Sequence, residues 1–199
     1  MRIHPAHITE AEVLERQRLG LDVRDEEWEG VYHVTPPPSV DHQDVLAGFI
    51  LFLRTLVESR GGGKVLPEIG VFRGSVPVPD YRIPDLVFVA AGREGIIARD
   101  GIRGGAPDVV IEILSPHDES RAKFPFSAAI GVPEVVVVGP DARTAEVWKL
   151  AGGRYERVPS GPDGATISER LQISMRTIAG APPRLELLDR RDPKHRKSI

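Results

Sequence analysis

Two apolar runs that each carry a carboxylate constrain this chain more than any other feature. Residues 82–89 read RIPDLVFV and residues 106–116 read APDVVIEILSP, so Asp85 opens the first run and Glu112 sits inside the second. Their β-branched content marks both runs as buried strands. A carboxylate in such company must be paired, protonated or bound to a metal, because an isolated buried charge is too costly. The separation, 112 − 85 = 27 residues, leaves room for one strand, a loop and the return to an adjacent strand. With Lys123 shortly after, the two acids make the donor set of a divalent-metal site for phosphodiester chemistry. A Mg²⁺ or Mn²⁺ ion takes one or two carboxylates plus waters and substrate phosphate, and a fixed ammonium stabilises developing charge. The backbone carbonyl of Ile113, next along the strand, is a further candidate ligand. A blander reading stays open: Pro-Asp opens many turns, as at Asp108, and Glu112 alternates with Val110 and Leu114 as a solvent-facing or arginine-paired residue would.

The rest of the chain supplies elements for a mixed sheet. Ile8 to Gly20 has a weak helical pattern with a capping box at Thr9 and Glu12. Trp28 to Thr35 reads as one strand, stopped by Pro36 to Pro38. Ser39 or Asp41 caps a strong helix from about His42 to Arg60, in which Val45, Leu46, Phe49, Ile50, Leu53, Leu56 and Val57 keep the 3.6 period. Val65 to Phe72 and Ile83 to Ala90 flank a Gly/Pro-rich connection and form a candidate hairpin. Val109 to Leu114 and Val135 to Val138 read as buried strands, with a helix from Asp118 to Ile130 between them. Arg143 to Leu150 and Arg154 to Val158 make a hairpin about Gly152-Gly153. Leu171 to Leu188 reads as a short strand with loops, and Arg190 to Lys197 as a basic tail that either binds nucleic acid nonspecifically or is disordered. This order predicts an α/β fold with a mixed sheet.

Bulk properties bound the rest. A chain of 199 residues is long enough for one well-buried domain. A net charge of −3 gives no global basic signature, so nucleic-acid binding would need a local patch such as Arg99, Arg103, Arg121 and Lys123. The absence of cysteine excludes disulfides and thiolate zinc sites and suits a reducing compartment. No signal-type or membrane-length apolar run is present, and the expectation is a cytoplasmic protein. His4, His7, the Gly61 to Gly63 run and Ser115 with His117 match no metal, phosphate-loop or nucleophile pattern.

Several blocks carry a resemblance. Residues 27–42 (EWEGVYHVTPPPSVDH), 81–88 (YRIPDLVF), 107–116 (PDVVIEILSP), 118–126 (DESRAKFPF) and 131–135 (GVPEV) are similar, in this order, to the Uma2 family of the PD-(D/E)XK nuclease superfamily. The resemblance spans about Trp28 to Leu150. It implies a restriction-endonuclease-like core, a mixed β-sheet flanked by helices, with additional N- and C-terminal strands. The domain would run over residues 1–189, its core over 28–150, and the tail over 190–199. Asp85 and Glu112 are implied as metal ligands. The superfamily lysine usually stands two residues after the second acid, where this chain has Leu114; in Uma2 relatives it sits on the following helix, as Lys123 does. Glu29 and His42 lie in shared blocks. Glu29 is a further ligand or water-positioning residue, or a strand-end acid in solvent. His42 contacts phosphate or the metal-bound water, or simply bonds backbone at a helix start. Glu68 is a weaker candidate. Ser127 and Gly139 depart from the family's usual Tyr and Asp. The expected function is Mg²⁺- or Mn²⁺-dependent cleavage of DNA, with a homodimer suited to cutting both strands. The alternatives are a nuclease-fold protein that binds nucleic acid or a partner without cutting, or a hydrolase of small phosphoesters.

Overall fold

The computed structural model describes residues 9–74, 80–115 and 120–199. Its centre is a six-stranded mixed sheet in the order β12-β11-β10-β9-β6-β3. The strands are β3 (Gly63–Pro67), β6 (Leu86–Ala90), β9 (Val109–Ile113), β10 (Glu134–Gly139), β11 (Thr144–Ala151) and β12 (Arg154–Arg157). Only β9 and β10 run parallel, with Val136 opposite Ile111. The middle strands are buried except at the last residues of β6 and β10, which accounts for their unbroken apolar runs.

One face of this sheet, with Phe88, Ile111 and Val136, packs on helix α2 (Val40–Val57). The helix forms where the period predicts it. Ser39 caps it by accepting the His42 N–H at 3.1 Å, and Gly61, with φ 64°, ends the short 3-10 turn that follows. The other face, with Val87, Val110 and Val137, packs on Phe126 of α3 (Phe124–Ile130). Pro125 falls in the first turn of α3, where its missing N–H leaves no gap in the helix. The predicted start of this helix at Asp118 lies outside the described residues; a 3-10 turn over Ser120–Lys123 leads into it.

A second sheet has the order β2-β1-β5-β4-β8-β7, from β1 (Glu26–Trp28), β2 (Val31–His33), β4 (Val71–Phe72), β5 (Tyr81–Arg82), β7 (Ile97–Ala98) and β8 (Gly101–Ile102). Two expectations change here. The strand expected over Trp28 to Thr35 is a hairpin, because Glu29 (φ 50°) and Gly30 (φ 84°) both take the left-handed region and reverse the chain. The strand expected over Val65 to Phe72 splits at Glu68 (φ 49°): β3 pairs with β6 as foreseen, whereas β4 joins the second sheet. The capped helix α1 (Glu10–Arg18) has both halves of its Thr9/Glu12 box and buries none of its residues. Buried Asp25 ties it to the hairpin, accepting from Arg16 Nε at 2.8 Å and the Tyr32 hydroxyl at 2.9 Å.

The C-terminal third also departs from expectation. It forms a four-stranded sheet of β13 (Thr166–Ser168), β14 (Ile173–Ile178), β15 (Arg184–Asp189) and β16 (Arg196–Ser198). Ile173, Met175, Leu185 and Leu187 alternate inward and join the α2 cluster. The basic segment expected as a flexible tail supplies the edge strand β16, and Ile199 packs against α2. Arg60 anchors this sheet to α2 by donating to buried Asp189 at 2.7 Å. No helix is long and apolar enough to cross a membrane among the described residues.

Two predictions test this docking. A Cβ at Gly48 would overlap the Cγ2 of Ile199, the residue after β16, so that side chain would have to shift if residue 48 carried one. Gly48→Ala should therefore lower the thermal midpoint, although helix propensity alone favours Ala by about 1 kcal/mol. Burial pushes the Asp189 carboxyl up, but the Arg60 bond and the Arg191 N–H outweigh it and hold it below the ordinary carboxylate range. A lowered folded pKa gives stability above the unfolded pKa that is lost as pH falls through the folded one. Arg60→Met should cost about 1–3 kcal/mol at neutral pH, with the difference from wild type shrinking below about pH 4 in urea titrations.

Candidate active site

The antiparallel register of β6 and β9 places Leu86 opposite Ile111, and so Asp85 opposite Glu112. Residues 85 and 112 share a side of the sheet with Val87 and Val110, the side that carries α3. Pro84 precedes Asp85 and the regular ladder begins only at Leu86. Asp85 uses its side chain instead, accepting the Ile113 N–H on Oδ2 at 2.6 Å. In an extended strand a residue's N–H and C=O face the same neighbour, so the Ile113 carbonyl is turned toward the Asp85 strand as well.

The other oxygen of Asp85 meets His42. Its Oδ1 lies 3.1 Å from His42 Nε2, and the imidazole is buried in the first turn of α2. Burial opposes the charged ring, but the bond to Asp85 and its negative charge prevail, and the His42 pKa is raised. Nε2 therefore donates. Nδ1 is buried and has no hydrogen-bond partner among the described residues. Glu68 borders this pair: its N–H donates to the Asp85 carbonyl at 3.1 Å, and its carboxylate is ion-paired with Arg24.

Lys123, at the junction of the 3-10 turn and α3, reaches Glu112 Oε2 at 3.5 Å. A closer partner is one the sequence reading missed. Nζ lies 2.8 Å from Oε1 of Glu26 on β1, and Glu26 is only 3% exposed. That carboxylate also accepts the Ile83 N–H on Oε1 at 2.8 Å and the Trp28 indole N–H on Oε2 at 2.6 Å. Burial disfavours the ammonium, yet the charges of Glu112 and Glu26 outweigh it and raise the Lys123 pKa above its ordinary value. The surrounding carboxylates thus favour the charged form of Lys123. The hairpin that carries Glu26 is pinned by Arg82, whose guanidinium lies 4.5 Å from the Trp28 ring centre and 4.3 Å from that of Phe126.

The structure thus brings together Asp85, Glu112, Lys123, His42 and Ile113. It does not bring Glu29, which occupies the tip of the β1–β2 turn, is 77% exposed and pairs with Arg73 at 3.5 Å. Glu26 is the acid this hairpin contributes. In the sequence it hides in the run Asp25-Glu26-Glu27, which reads as a solvated patch. Only its period-2 relation to Trp28 marks it as facing inward. The foreseen basic patch does not assemble as free cations: Arg103 is bonded to Asp100 and Arg121 to Glu146. Asp108, read as a strand-start residue, is buried and bound by the Ala90 N–H and Arg93.

A model of the Uma2 family, described as "Putative restriction endonuclease", matches residues 11–179. The chain belongs to the Uma2 family. Among solved structures it is similar to one described as a putative nuclease belonging to DUF820 from Anabaena variabilis ATCC 29413. The two are 19% identical with a TM-score of 0.58, over 74% of this chain and 82% of that one. At that identity the likeness establishes the nuclease-type fold expected for a Uma2 chain. No curated protein matches the sequence.

As donors, the acids suit a hard dication. Three largely buried carboxylates, Asp85, Glu26 and Glu112, surround the lysine and histidine. No group of three or more His, Asp or Glu is gathered into a cage among the described residues. Mg²⁺ needs none, since it keeps several waters and takes one or two carboxylates. Removing the ammonium should expose the repulsion it offsets. Lys123→Met should lower the unfolding free energy by about 3–5 kcal/mol, and adding Glu26→Gln should recover part of that loss in urea denaturation.

Proposed function

We propose that this Uma2 chain is a Mg²⁺- or Mn²⁺-dependent endonuclease that hydrolyses phosphodiester bonds in DNA. The observation that carries this reading is the register that sets Asp85 opposite Glu112, with the Lys123 ammonium on Glu112. Asp85 and Glu112, with the Ile113 carbonyl, would hold the metal. When bound, the metal supplies positive charge to the phosphoryl oxygens and polarises the attacking water. Lys123 adds a second, fixed positive charge beside the same group. His42 orients Asp85 through Nε2–H, and the Ile113 N–H fixes the other oxygen of that carboxylate. A cleft of about 690 Å³ is lined in part by Glu68 and Ile83, whose N–H groups bond the Asp85 carbonyl and the Glu26 carboxylate, although none of the proposed ligands lines it. The enzyme would act in the cytoplasm, and a homodimer would present two such sites to a duplex.

A second reading, nucleic-acid or partner binding without cleavage, draws on one specific feature. Both oxygens of Asp85 are already engaged, by His42 and by the Ile113 N–H. Nicking of supercoiled plasmid in Mn²⁺ separates the two. Wild type should nick, Asp85→Ala and Glu112→Ala should abolish nicking, and Lys123→Ala should slow it by about 10²–10³-fold. Equal nicking by folded wild type and variants would reject the assignment of these residues. Duplex binding without nicking by wild type would favour the second reading.

A further inference from the structure

The β6–β9 strand pair has a second recess at its other end. Asp85 precedes β6 and Ala90 ends it, 90 − 85 = 5 residues, or about 16 Å of extended chain. Beside Ala90 a cavity of about 240 Å³ opens between the end of α2, the strand ends and the C-terminal sheet. Its apolar wall includes Leu56, Val57, Phe88 and Leu171, all members of the α2 core cluster. The docking of the C-terminal sheet on α2 thus leaves a gap that core side chains border but do not fill.

The polar wall carries three arginines, Arg60, Arg170 and Arg191, against two aspartates, Asp108 and Asp189. Both acids are buried and already served. Arg60 meets Asp189 at 2.7 Å, and Arg93, from outside the cavity, meets Asp108 at 2.5 Å, with Arg170 farther off at 3.8 Å. Arg191 gives Asp189 only its backbone N–H, and its guanidinium has no acid partner among the described residues. The charge left over on this wall is positive, and it stands beside an apolar surface. A guanidinium fork matches a carboxylate or phosphate. A bare oxyanion would leave the apolar wall unused, and a neutral apolar molecule would leave the arginines unmet.

We propose that this cavity binds a compact organic anion, with a phosphomonoester or carboxylate head on Arg170 and Arg191 and a small apolar body against Leu56, Phe88 and Leu171. The volume lies below the usual range for small-molecule sites, about 300–1,000 Å³, which limits the body to a single ring or a short chain. The bound anion ties the C-terminal sheet to the ends of α2 and β6, in addition to the Arg60–Asp189 pair. The site is separate from Asp85 and Glu112 and needs no metal there.

The test is calorimetry with thermal unfolding on the full chain in EDTA, with phenyl phosphate, benzoate, inorganic phosphate and phenol as probes. Phenyl phosphate and benzoate should bind once per chain and raise the thermal midpoint, and the tighter of the two identifies the head. Inorganic phosphate and phenol should each bind at least about tenfold more weakly, because each meets only one wall. Arg170→Met with Arg191→Met should weaken phenyl phosphate by about tenfold or more, and added salt should do the same to wild type. Neither arginine is the nearest partner of a buried acid, so the double variant should fold; should it not, Arg191→Met alone carries the expectation. Asp85→Ala should bind as wild type does. No saturable binding of either organic anion, inorganic phosphate as tight as phenyl phosphate, or unchanged affinity in the arginine variants overturns the proposal. Loss of binding in Asp85→Ala overturns it by placing the probe at the other site. Duplex DNA binding that needs these arginines while neither organic anion binds overturns it in favour of a nucleic-acid contact.

Discussion

Buried carboxylates need a counter-charge or several N–H donors, and meeting that need organises this molecule. Outside the site, most such acids have an arginine of their own. Asp25 has Arg16, Asp80 has Arg82, Asp108 has Arg93 and Asp189 has Arg60. Each of these pairs bridges separate pieces of structure or steadies a loop: α1 to the hairpin, the second sheet to itself, the loop after β6 to β9, and the C-terminal sheet to α2. Glu134 differs, being raised in pKa by burial and bonded by the Ser168 hydroxyl. At the candidate site no arginine plays this part among the described residues: Glu26 and Glu112 both meet the Lys123 ammonium, and Asp85 meets an imidazole and one N–H.

The lysine's position follows from the packing of β9. The place two residues beyond Glu112 is Leu114, which points to the same face and joins the cluster around Val110 and Val137. Its N–H is taken by the Val138 carbonyl, so the strand continues along β10 past the acid. A side chain that reaches Glu112 from above that apolar layer must come from the element covering the face. The 3-10 turn before α3 provides it, and Lys123 spans the gap with its flexible stem. Nζ thus reaches Glu112 from a separate stretch of backbone.

Much of this was legible in the sequence because the relevant signals are local. The α2 stripe, the Thr9/Glu12 box, the β11–β12 hairpin and the unbroken apolar runs of β9 and β10 each depend on nearby residues alone. Asp85 and Glu112 stood out for the same reason, as charges in apolar company. What was hidden depends on distant partners. Glu26 is buried by Trp28, Ile83 and Lys123, the last of them 97 residues away. The segment Arg196–Ser198 has a tail's composition and becomes a strand only because β15 offers it an edge. Glu29 was the plausible acid of its block by sequence, yet the tight turn it helps to form turns it out to solvent.

The hairpin also explains why residues far from the acids bear on the site. Trp28 binds Glu26 through its indole N–H and stacks on His33, with ring centres 4.0 Å apart. Its ring in turn lies under Arg82, which rests on Phe126 of α3. Arg82 also donates to the Glu27 carbonyl at 3.0 Å and to Asp80 at 2.8 Å. One guanidinium thus fixes the distance between the strand that carries Glu26 and the helix that follows Lys123. Both ends of the Glu26–Lys123 bond are set by the same sandwich. A change at Arg82 would alter the site through its geometry while leaving each acid and the lysine in place. The second sheet, which contributes no residue to the Asp85–Glu112 pair, is therefore part of the apparatus that holds it.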